Sequence, residues 1–441
     1  MIEKYLVKKI TEPVDWKVTV PGSKSMTNRA LLMAVLSAGT VRVEGVLFSD
    51  DSRHFLACLV ALGFTVEIEE EKKCVTVTGC GGRIPRGEAV IDVGSAGTAA
   101  RFLAAMLGFS DGCYEIRCSA QMKRRPMAVL FHLLSGAGAK ITFLEEEGHL
   151  PVRITGCRYA RADKTAGETP RELSLDITKS TQFLSALLLI APMVPEGMKI
   201  HITSEKTDGS YIRITRKMMQ EFGVSVAFDG RDYEVPCRSS YRKETYMVEP
   251  DMSAACYFYA AAAVTGGRAL VRHVHMDNTQ GDLRFLEVLE HMGCTADDTP
   301  EGILVTGPAD GALRGITVNM NDFSDQALTL AAIAPFADAP VRIEGIGHIR
   351  GQECDRIHAI QTNLTALGIR CEEEETAATI YPGSPHGGSV ETYDDHRVAM
   401  AFSLVGLRTD GIVIENPACC RKTFENYFTV LSELTGKKME A

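Results

Sequence analysis

The strongest constraint on this chain is an internal repeat. A polar, helix-opening motif occurs six times and each time runs into an alanine-rich apolar stretch. The first copy, Pro21-Gly22-Ser23-Lys24-Ser25-Met26-Thr27-Asn28-Arg29, leads into Ala30–Leu36; the others open at Ser95–Arg101, Ser180–Leu184, Asp251–Ala255, Ser324–Leu328 and Asp394–Met400. A turn and a β pattern follow each copy, at Thr40–Val43, Cys113–Ile116, Met198–Ile200, Arg268–Val271, Val341–Ile343 and Ile412–Ile414. A second motif interleaves with the first: an amphipathic helix that ends in a glycine and feeds a two-strand hairpin, centred on Gly63, Gly138, Gly223, Gly293 and Gly368. Helical periodicity, flanking alternation and a glycine where a C-cap is needed define the unit as strand, helix, strand, helix, hairpin, roughly 70 to 85 residues long. Only five hairpins are legible. Tyr5-Leu6-Val7 and Lys17-Val18-Thr19-Val20 read as strands without a helix of their own and are expected to complete the sixth.

A chain of 441 residues exceeds the size at which one core usually stays single. The expectation is an α/β protein of two similar domains, each of three βαβαββ repeats. Residues 1–20 with 242–441 form one domain and 21–241 the other. The turn-prone Pro236–Lys243 stretch and Pro21-Gly22 are the crossing points. A ligand cleft between the domains, closed by their movement, is the natural site.

Composition narrows the partners. Lys and Arg number 47 against 57 acidic residues, a formal charge of −10, with no basic block, which argues against nucleic acid. There is no apolar run of about 18 residues and no basic, hydrophobic leader, so a cytoplasmic chain without membrane contact is expected. The 13 cysteines are scattered without CxxC pairs and read as core residues of a reducing compartment rather than a disulfide frame or zinc site. Phosphate-loop, dinucleotide and HExxH signatures are absent, and no metal site is expected.

What remains is anion chemistry. Helix N-termini carry positive potential and open N–H groups. Beside them stand two sets of cations: Lys24, Arg29, Arg101 and the run Lys123-Arg124-Arg125, then Arg350, Arg356, Arg397 and Lys422. In an acidic chain, that placement points to a small, highly charged ligand or a pair of them.

Taken together and in this order, PGSKSMTNR, SAGTAAR, STQF, DDHR and KTF resemble the 5-enolpyruvylshikimate-3-phosphate synthase (3-phosphoshikimate 1-carboxyvinyltransferase) family of enolpyruvyl transferases, over nearly the whole chain. The resemblance implies two similar domains in an inverse α/β barrel arrangement, shikimate-3-phosphate and phosphoenolpyruvate as substrates, a monomer, and no metal or organic cofactor. It assigns Lys24, Ser25, Arg29, Ser180, Thr181, Gln182, Tyr211 and Asp325 to shikimate-3-phosphate. Lys24, Gly97, Thr98, Arg101, Arg124, Gln182, Arg356, Arg397 and Lys422 go to phosphoenolpyruvate, and Asp325, Glu353 and Lys24 to acid and base work. In this family, alanine at the Gly97 position obstructs the herbicide glyphosate, so sensitivity is expected here.

The chain also departs from the family pattern. Ser95 and His348 stand where asparagine is common, Gln352 where lysine is, Phe102 where proline is, and Gln121 where one branch has arginine. Asp208 occupies a position usually held by serine near the ring phosphate. Arg350 or the Lys123–Arg125 run could replace the cation that Gln352 removes. Three other readings stand beside the main one. The first is a sister transferase acting on a UDP-amino sugar, for which Cys113 or Cys118 in a flexible loop over Gly112–Arg125 would matter. The others are a paralogue acting on another phosphorylated cyclic alcohol and a non-catalytic anion-binding scaffold.

Overall fold

In the computed structural model, residues 3–157, 170–178, 180–309 and 312–436 are described. The chain divides into two compact units, Gly22–Glu249 and Met1–Pro21 with Pro250–Ala441. Six sheets are present among the described residues, and all follow one plan.

In the Gly22–Glu249 unit, the first sheet runs Thr245–Met247, Thr40–Glu44, Cys74–Thr78, Thr65–Glu69. The second runs Glu88–Asp92, Cys113–Arg117, Val152–Thr155, Lys140–Phe143, and the third Arg171–Leu175, Met198–Ile202, Asp232–Val235, Ala227–Phe228. In each, a lead strand pairs in parallel with the strand after the apolar helix, which in turn pairs antiparallel with the distal strand of a hairpin. A parallel pair requires a crossover, and in the second and third sheets the apolar helix supplies it; in the first, the lead strand Thr245–Met247 comes from the far end of the unit. The other unit repeats the plan with Asp15–Val18, Arg268–Arg272, Gly302–Thr306, Thr295–Thr299, then with Thr317–Asn319, Val341–Glu344, Ala378–Ile380, Cys371–Glu373. Its last sheet has three strands, Gly388–Val390, Ile412–Glu415 and Lys4–Leu6.

The chain ends are therefore used differently from the expectation. Lys4–Leu6 does take the place of the missing hairpin, antiparallel to Ile412–Glu415. The segment around Lys17 does not; Asp15–Val18 is the lead strand of the sheet containing Arg268–Arg272. The return crossing also lies later than 241/242. Residues 242–249 stay with the Gly22–Glu249 unit because Thr245–Met247 pairs in parallel with Thr40–Glu44 and Val248 N donates to Glu44 O. At both crossings the chain leaves a lead strand in one unit to begin an apolar helix in the other.

The glycines that close the amphipathic helices sit at φ between +84° and +106°, at Gly63, Gly138, Gly223, Gly293 and Gly368. Any side chain there would be strained, which is why glycine marks the repeat. The apolar helices are buried on all faces: Met26 through Leu36 of Lys24–Leu36, every residue of Gly97–Gly108, and Phe183 through Ile190 of Gln182–Ile190. In the other unit, Met252–Thr265, Ala327–Ile333 and His396–Arg408 behave alike. A helix apolar all round is a core helix, and each fully buried Leu or Phe contributes about 2 kcal/mol. Burial of the helix bodies holds their polar first turns rigidly. No helix among the described residues is long and apolar enough to cross a membrane.

Candidate functional site

The expected residues fall into two clusters, one in each unit. In the Gly22–Glu249 unit three helix starts carry them. None of the N-cap residues Ser23, Ala96 and Thr181 closes its helix with a side-chain hydrogen bond. Lys24 stands in the first turn, 3.5 Å from Asp51 Oδ2, and Ser25 Oγ lies 3.3 Å from Ser23 Oγ. One turn on, Arg29 is 1% exposed. Its Nε donates to Thr215 Oγ1 at 2.8 Å, one terminal nitrogen to Ser25 O at 2.9 Å, and the other to Ser185 Oγ and Tyr211 O at 3.3 Å. The guanidinium also lies over the rings of Phe102 and Tyr211. None of these acceptors is a carboxylate, and burial pulls the Arg29 guanidinium down to about 10. A buried cation with only neutral acceptors is poised for an anion.

The second helix start is built around a missing side chain. A Cβ on Gly97 would lie 2.4 Å from Arg125 Nη1 and 2.7 Å from Arg101 Nη1, so the absent methyl is what admits two guanidinium groups. Arg101 donates to Gly97 O at 3.0 Å and to Gln182 Oε1 at 2.9 Å, joining the second start to the third. Thr98 is buried beside it. Ser180 Oγ receives Gln182 N at 3.2 Å, ahead of Thr181.

Arg125, not the expected Arg124, reaches this place. Arg124 is exposed, and Lys123 is committed to Glu145 at 2.6 Å. The one available signal was position: Arg125 immediately precedes Pro126 and Arg124 does not. Lys206 was also overlooked. A Cβ on Gly209 would lie 3.5 Å from Thr181 Cγ2 and 3.9 Å from Lys206 Nζ, so this ammonium stands near the third helix start. Asp208 is turned onto Arg213 at 3.0 Å and receives the Tyr233 hydroxyl at 3.2 Å. Gly112–Arg125, the stretch that corresponds to the flexible loop of the sister transferase, holds strand Cys113–Arg117 followed by helical turn Ala120–Lys123. Burial pushes the Cys118 thiol up to about 11.

The second cluster is an ion-pair network on Arg356, which is 1% exposed. Nε donates to Asp395 Oδ2 at 2.8 Å, Nη1 to Asp325 Oδ1 at 3.1 Å and to Gln352 Oε1, and Nη2 to Glu353 Oε2 at 2.9 Å and Asp395 Oδ1 at 3.4 Å. Burial works against its charge, but Asp395, Glu353 and Asp325 outweigh it and hold the guanidinium charged. Its donors are taken up by protein, so Arg356 spaces Asp325 and Glu353 rather than presenting a free fork. Arg397 donates to Asp325 Oδ2 at 2.8 Å and Ser253 Oγ at 3.4 Å, and Lys422 Nζ lies 3.4 Å from Glu353 Oε1. Each carboxylate thus lies between Arg356 and a second cation. The side chains of Asp325 and Glu353 are 13% and 9% exposed, enough to be touched and too little to be freely hydrated.

Two expectations fail in this unit. Arg350 faces away, bound to Asp355 at 2.8 Å, Glu373 at 2.7 Å and the carbonyls of Glu374 and Glu375. Nor are all six helix starts alike. Asp251 caps Ala254 N and Asp395 caps Arg397 N, so two starts here are filled by the protein's own carboxylates. Asp395 also went unremarked, although it is the second Asp of the Asp394–Arg397 motif. His348 Nε2 pairs with Ser324 Oγ at 2.8 Å, just before Asp325. No group of three His, Cys, Asp or Glu able to hold a metal occurs among the described residues.

Comparison with known proteins identifies relatives. The sequence model of the EPSP synthase (3-phosphoshikimate 1-carboxyvinyltransferase) family matches residues 8–431. A 3-phosphoshikimate 1-carboxyvinyltransferase of Trichormus variabilis is 41% identical over 429 residues, 97% of this chain and 98% of that protein. The protein of that description from Sulfurovum sp. is 39% identical over 427 residues, covering 96% and 97%. Among solved structures, an EPSP synthase from Acinetobacter baumannii superposes with a TM-score of 0.79 at 25% identity, covering 99% of each chain. The enolpyruvyl transferase NikO from Streptomyces tendae, at 16% identity and TM-score 0.72 over 98% of this chain and 97% of its own, shares the fold.

Proposed function

The chain belongs to the EPSP synthase (3-phosphoshikimate 1-carboxyvinyltransferase) family, and from that premise we propose how its residues divide the work. The enzyme transfers the enolpyruvyl group of phosphoenolpyruvate to the 5-hydroxyl of shikimate-3-phosphate and releases phosphate, in aromatic amino acid biosynthesis. The reading of the residues rests on one observation: Arg356 holds Asp325 and Glu353 at 3.1 and 2.9 Å on separate nitrogens, each carboxylate also facing a second cation.

In the addition step the 5-hydroxyl oxygen bonds to C2 of phosphoenolpyruvate, Asp325 takes the hydroxyl proton, and C3 receives a proton from Lys24 or Glu353. The tetrahedral intermediate then breaks its C2–O bond to phosphate and returns a methyl proton to the same group, restoring the vinyl ether. Placement of groups that change protonation is the main contribution expected of the protein. Lys24, Ser25, Arg29, Gln182 and Tyr211 hold shikimate-3-phosphate, with Ser180, Thr181 and Lys206 on its phosphate. Thr98, Arg101, Arg125, Arg397 and Lys422 hold the carboxylate and phosphate of phosphoenolpyruvate beside the bare Gly97 backbone, with Gln182 and Lys24 touching both substrates. Arg356 acts by fixing the two carboxylates, and Gln352 accepts from it where a lysine would repel it. Each unit is proposed to form an inverse α/β barrel, and the enzyme to work as a cytoplasmic monomer.

A phosphate-release assay tests this. Release should require both shikimate-3-phosphate and phosphoenolpyruvate and fall at least about 100-fold in Asp325→Ala and Glu353→Gln, as for lost acid–base groups. Release with a UDP-amino sugar in place of shikimate-3-phosphate would overturn the acceptor.

A further inference from the structure

Behind Asp325 and Arg397 lies a second carboxylate that the roles above leave unused. Asp282, in the turn Gly281–Arg284, is 7% exposed. Its Oδ2 accepts from Ser253 Oγ and, at 3.1 Å, from Gln326 Nε2. Both donors lead to the reacting groups. Ser253 Oγ receives Arg397 Nη2 at 3.4 Å, and Gln326 is the residue after Asp325. Because the Ser253 hydroxyl spends its proton on Asp282, its lone pairs are left to face Arg397. Gln326 is fully buried, its Oε1 receives Thr329 Oγ1 at 3.0 Å, and its amide N–H side is satisfied by Asp282. The polar turn ahead of Ala327–Ile333 is thereby pinned at both ends of one side chain.

We propose that Asp282 is a positioning residue for the transfer reaction: it fixes Arg397 through Ser253 and Asp325 through Gln326. Arg356 and Arg397 both contact Asp325, and Asp282 lies behind them as the common acceptor that holds Ser253 and Gln326 in place. Burial first, then the Asp325 charge, push Asp282 up to about 6, while Arg397, Ser253 and Gln326 pull it down. The other charged or titratable groups around it are Asp251, at the start of Met252–Thr265, and the Cys256 thiol against the Asp282 carbonyl, which burial raises well above its usual range.

The inference rests on the reading of Asp325 as the base. The test uses Asp282→Ala, which removes the acceptor of both donors, Asp282→Asn, which keeps an acceptor oxygen and the shape, and Ser253→Ala, which removes the Arg397 link together with one of the two donors to Asp282. Asp282→Ala should lower kcat/KM for phosphoenolpyruvate at least about tenfold, as for two buried donors left without their acceptor, and Asp282→Asn should restore most of it. Ser253→Ala should raise KM for phosphoenolpyruvate several-fold with kcat changed less. An unchanged kcat/KM in folded Asp282→Ala overturns the proposal. If that variant does not fold, an unchanged KM in Ser253→Ala overturns it. Wild-type protein that releases no phosphate would sink the functional reading instead. In that case equilibrium binding of phosphoenolpyruvate still decides, because Ser253→Ala should weaken it several-fold and equal binding rejects the positioning role.

Discussion

Arg356 Nε lies 2.8 Å from Asp395 Oδ2, with the two side chains 1% and 0% exposed. This pair joins the start of Arg356–Ala366 to the start of His396–Arg408, where Asp395 also caps the helix. Removing one partner from a buried pair leaves an uncompensated charge, which destabilises by about 3–5 kcal/mol. Asp395→Ala should therefore lower the unfolding free energy by that amount in a denaturant titration and abolish phosphate release. A variant as stable as wild type would show that Arg356 is held by Asp325 and Glu353 alone.

Gly97→Ala is expected to act on the cations rather than on the fold. Its methyl would meet Arg125 Nη1 at 2.4 Å and Arg101 Nη1 at 2.7 Å, flexible ends that can shift. Displacing one charge-assisted hydrogen bond, about 1.5 kcal/mol, should raise KM for phosphoenolpyruvate about tenfold. Glyphosate inhibition should weaken in parallel, with the melting temperature nearly unchanged. Steady-state kinetics at varied phosphoenolpyruvate, with and without glyphosate, check it; an unchanged KM would place phosphoenolpyruvate away from Gly97.

Arg29 gives a ligand-linked stability test. With hydroxyl and carbonyl acceptors only, it should gain from a bound carboxylate more than a surface arginine would. Shikimate-3-phosphate at about 100 times Kd should stabilise wild type by about 2.7 kcal/mol. In Arg29→Lys, which cannot span four acceptors, the same concentration should produce less than half of that shift by thermal denaturation. An equal shift would remove Arg29 from the substrate contacts.

Asp282 predicts a pH dependence of stability whose sign is fixed. Its folded proton affinity is raised to about 6, chiefly by burial, so between about pH 4 and 6 the folded state binds more protons than the unfolded one. Stability contributed at low pH is therefore lost as pH rises through that window. Asp282→Asn lacks the loss, so its stability relative to wild type should improve between pH 4 and 7 by up to about 3 kcal/mol. Parallel urea titrations at the two pH values measure it, and a constant difference would mean that Asp282 titrates normally.

Cys118 separates this enzyme from a transferase that depends on a loop cysteine. Burial holds its thiol up to about 11, leaving little thiolate at neutral pH. Iodoacetamide at pH 7 should leave activity intact over an hour, and labelling of Cys118 should accelerate only as pH approaches that value. Rapid inactivation prevented by phosphoenolpyruvate would contradict this.

The repeat was readable because it is local. Alanine-rich runs, terminal glycines and alternating strands each obey short-range rules, and the glycines at Gly63 and Gly368 carry the left-handed φ that their C-cap position demands. The placement of Thr245–Met247 was not readable, since a three-residue strand carries no label for its partner and pairs with Thr40–Glu44 across two hundred residues of chain. The same holds within the site. Lys24, Gly97, Asp325 and Glu353 stand in motifs, whereas Arg125 differs from Arg124 only in which way a side chain points.

The sequence by itself determined the six-fold repeat, the α/β class, the helix starts and the chemical types gathered there, because periodicity, capping and charge are properties of neighbouring residues. Only the tertiary structure decided which cation meets which carboxylate: Arg350 is spent on Asp355 and Glu373, Arg356 is enclosed by Asp325, Glu353 and Asp395, and Asp282 lies behind them. Ion pairing in a buried network depends on distances of a few ångströms between residues far apart in the chain, and no local pattern encodes those distances.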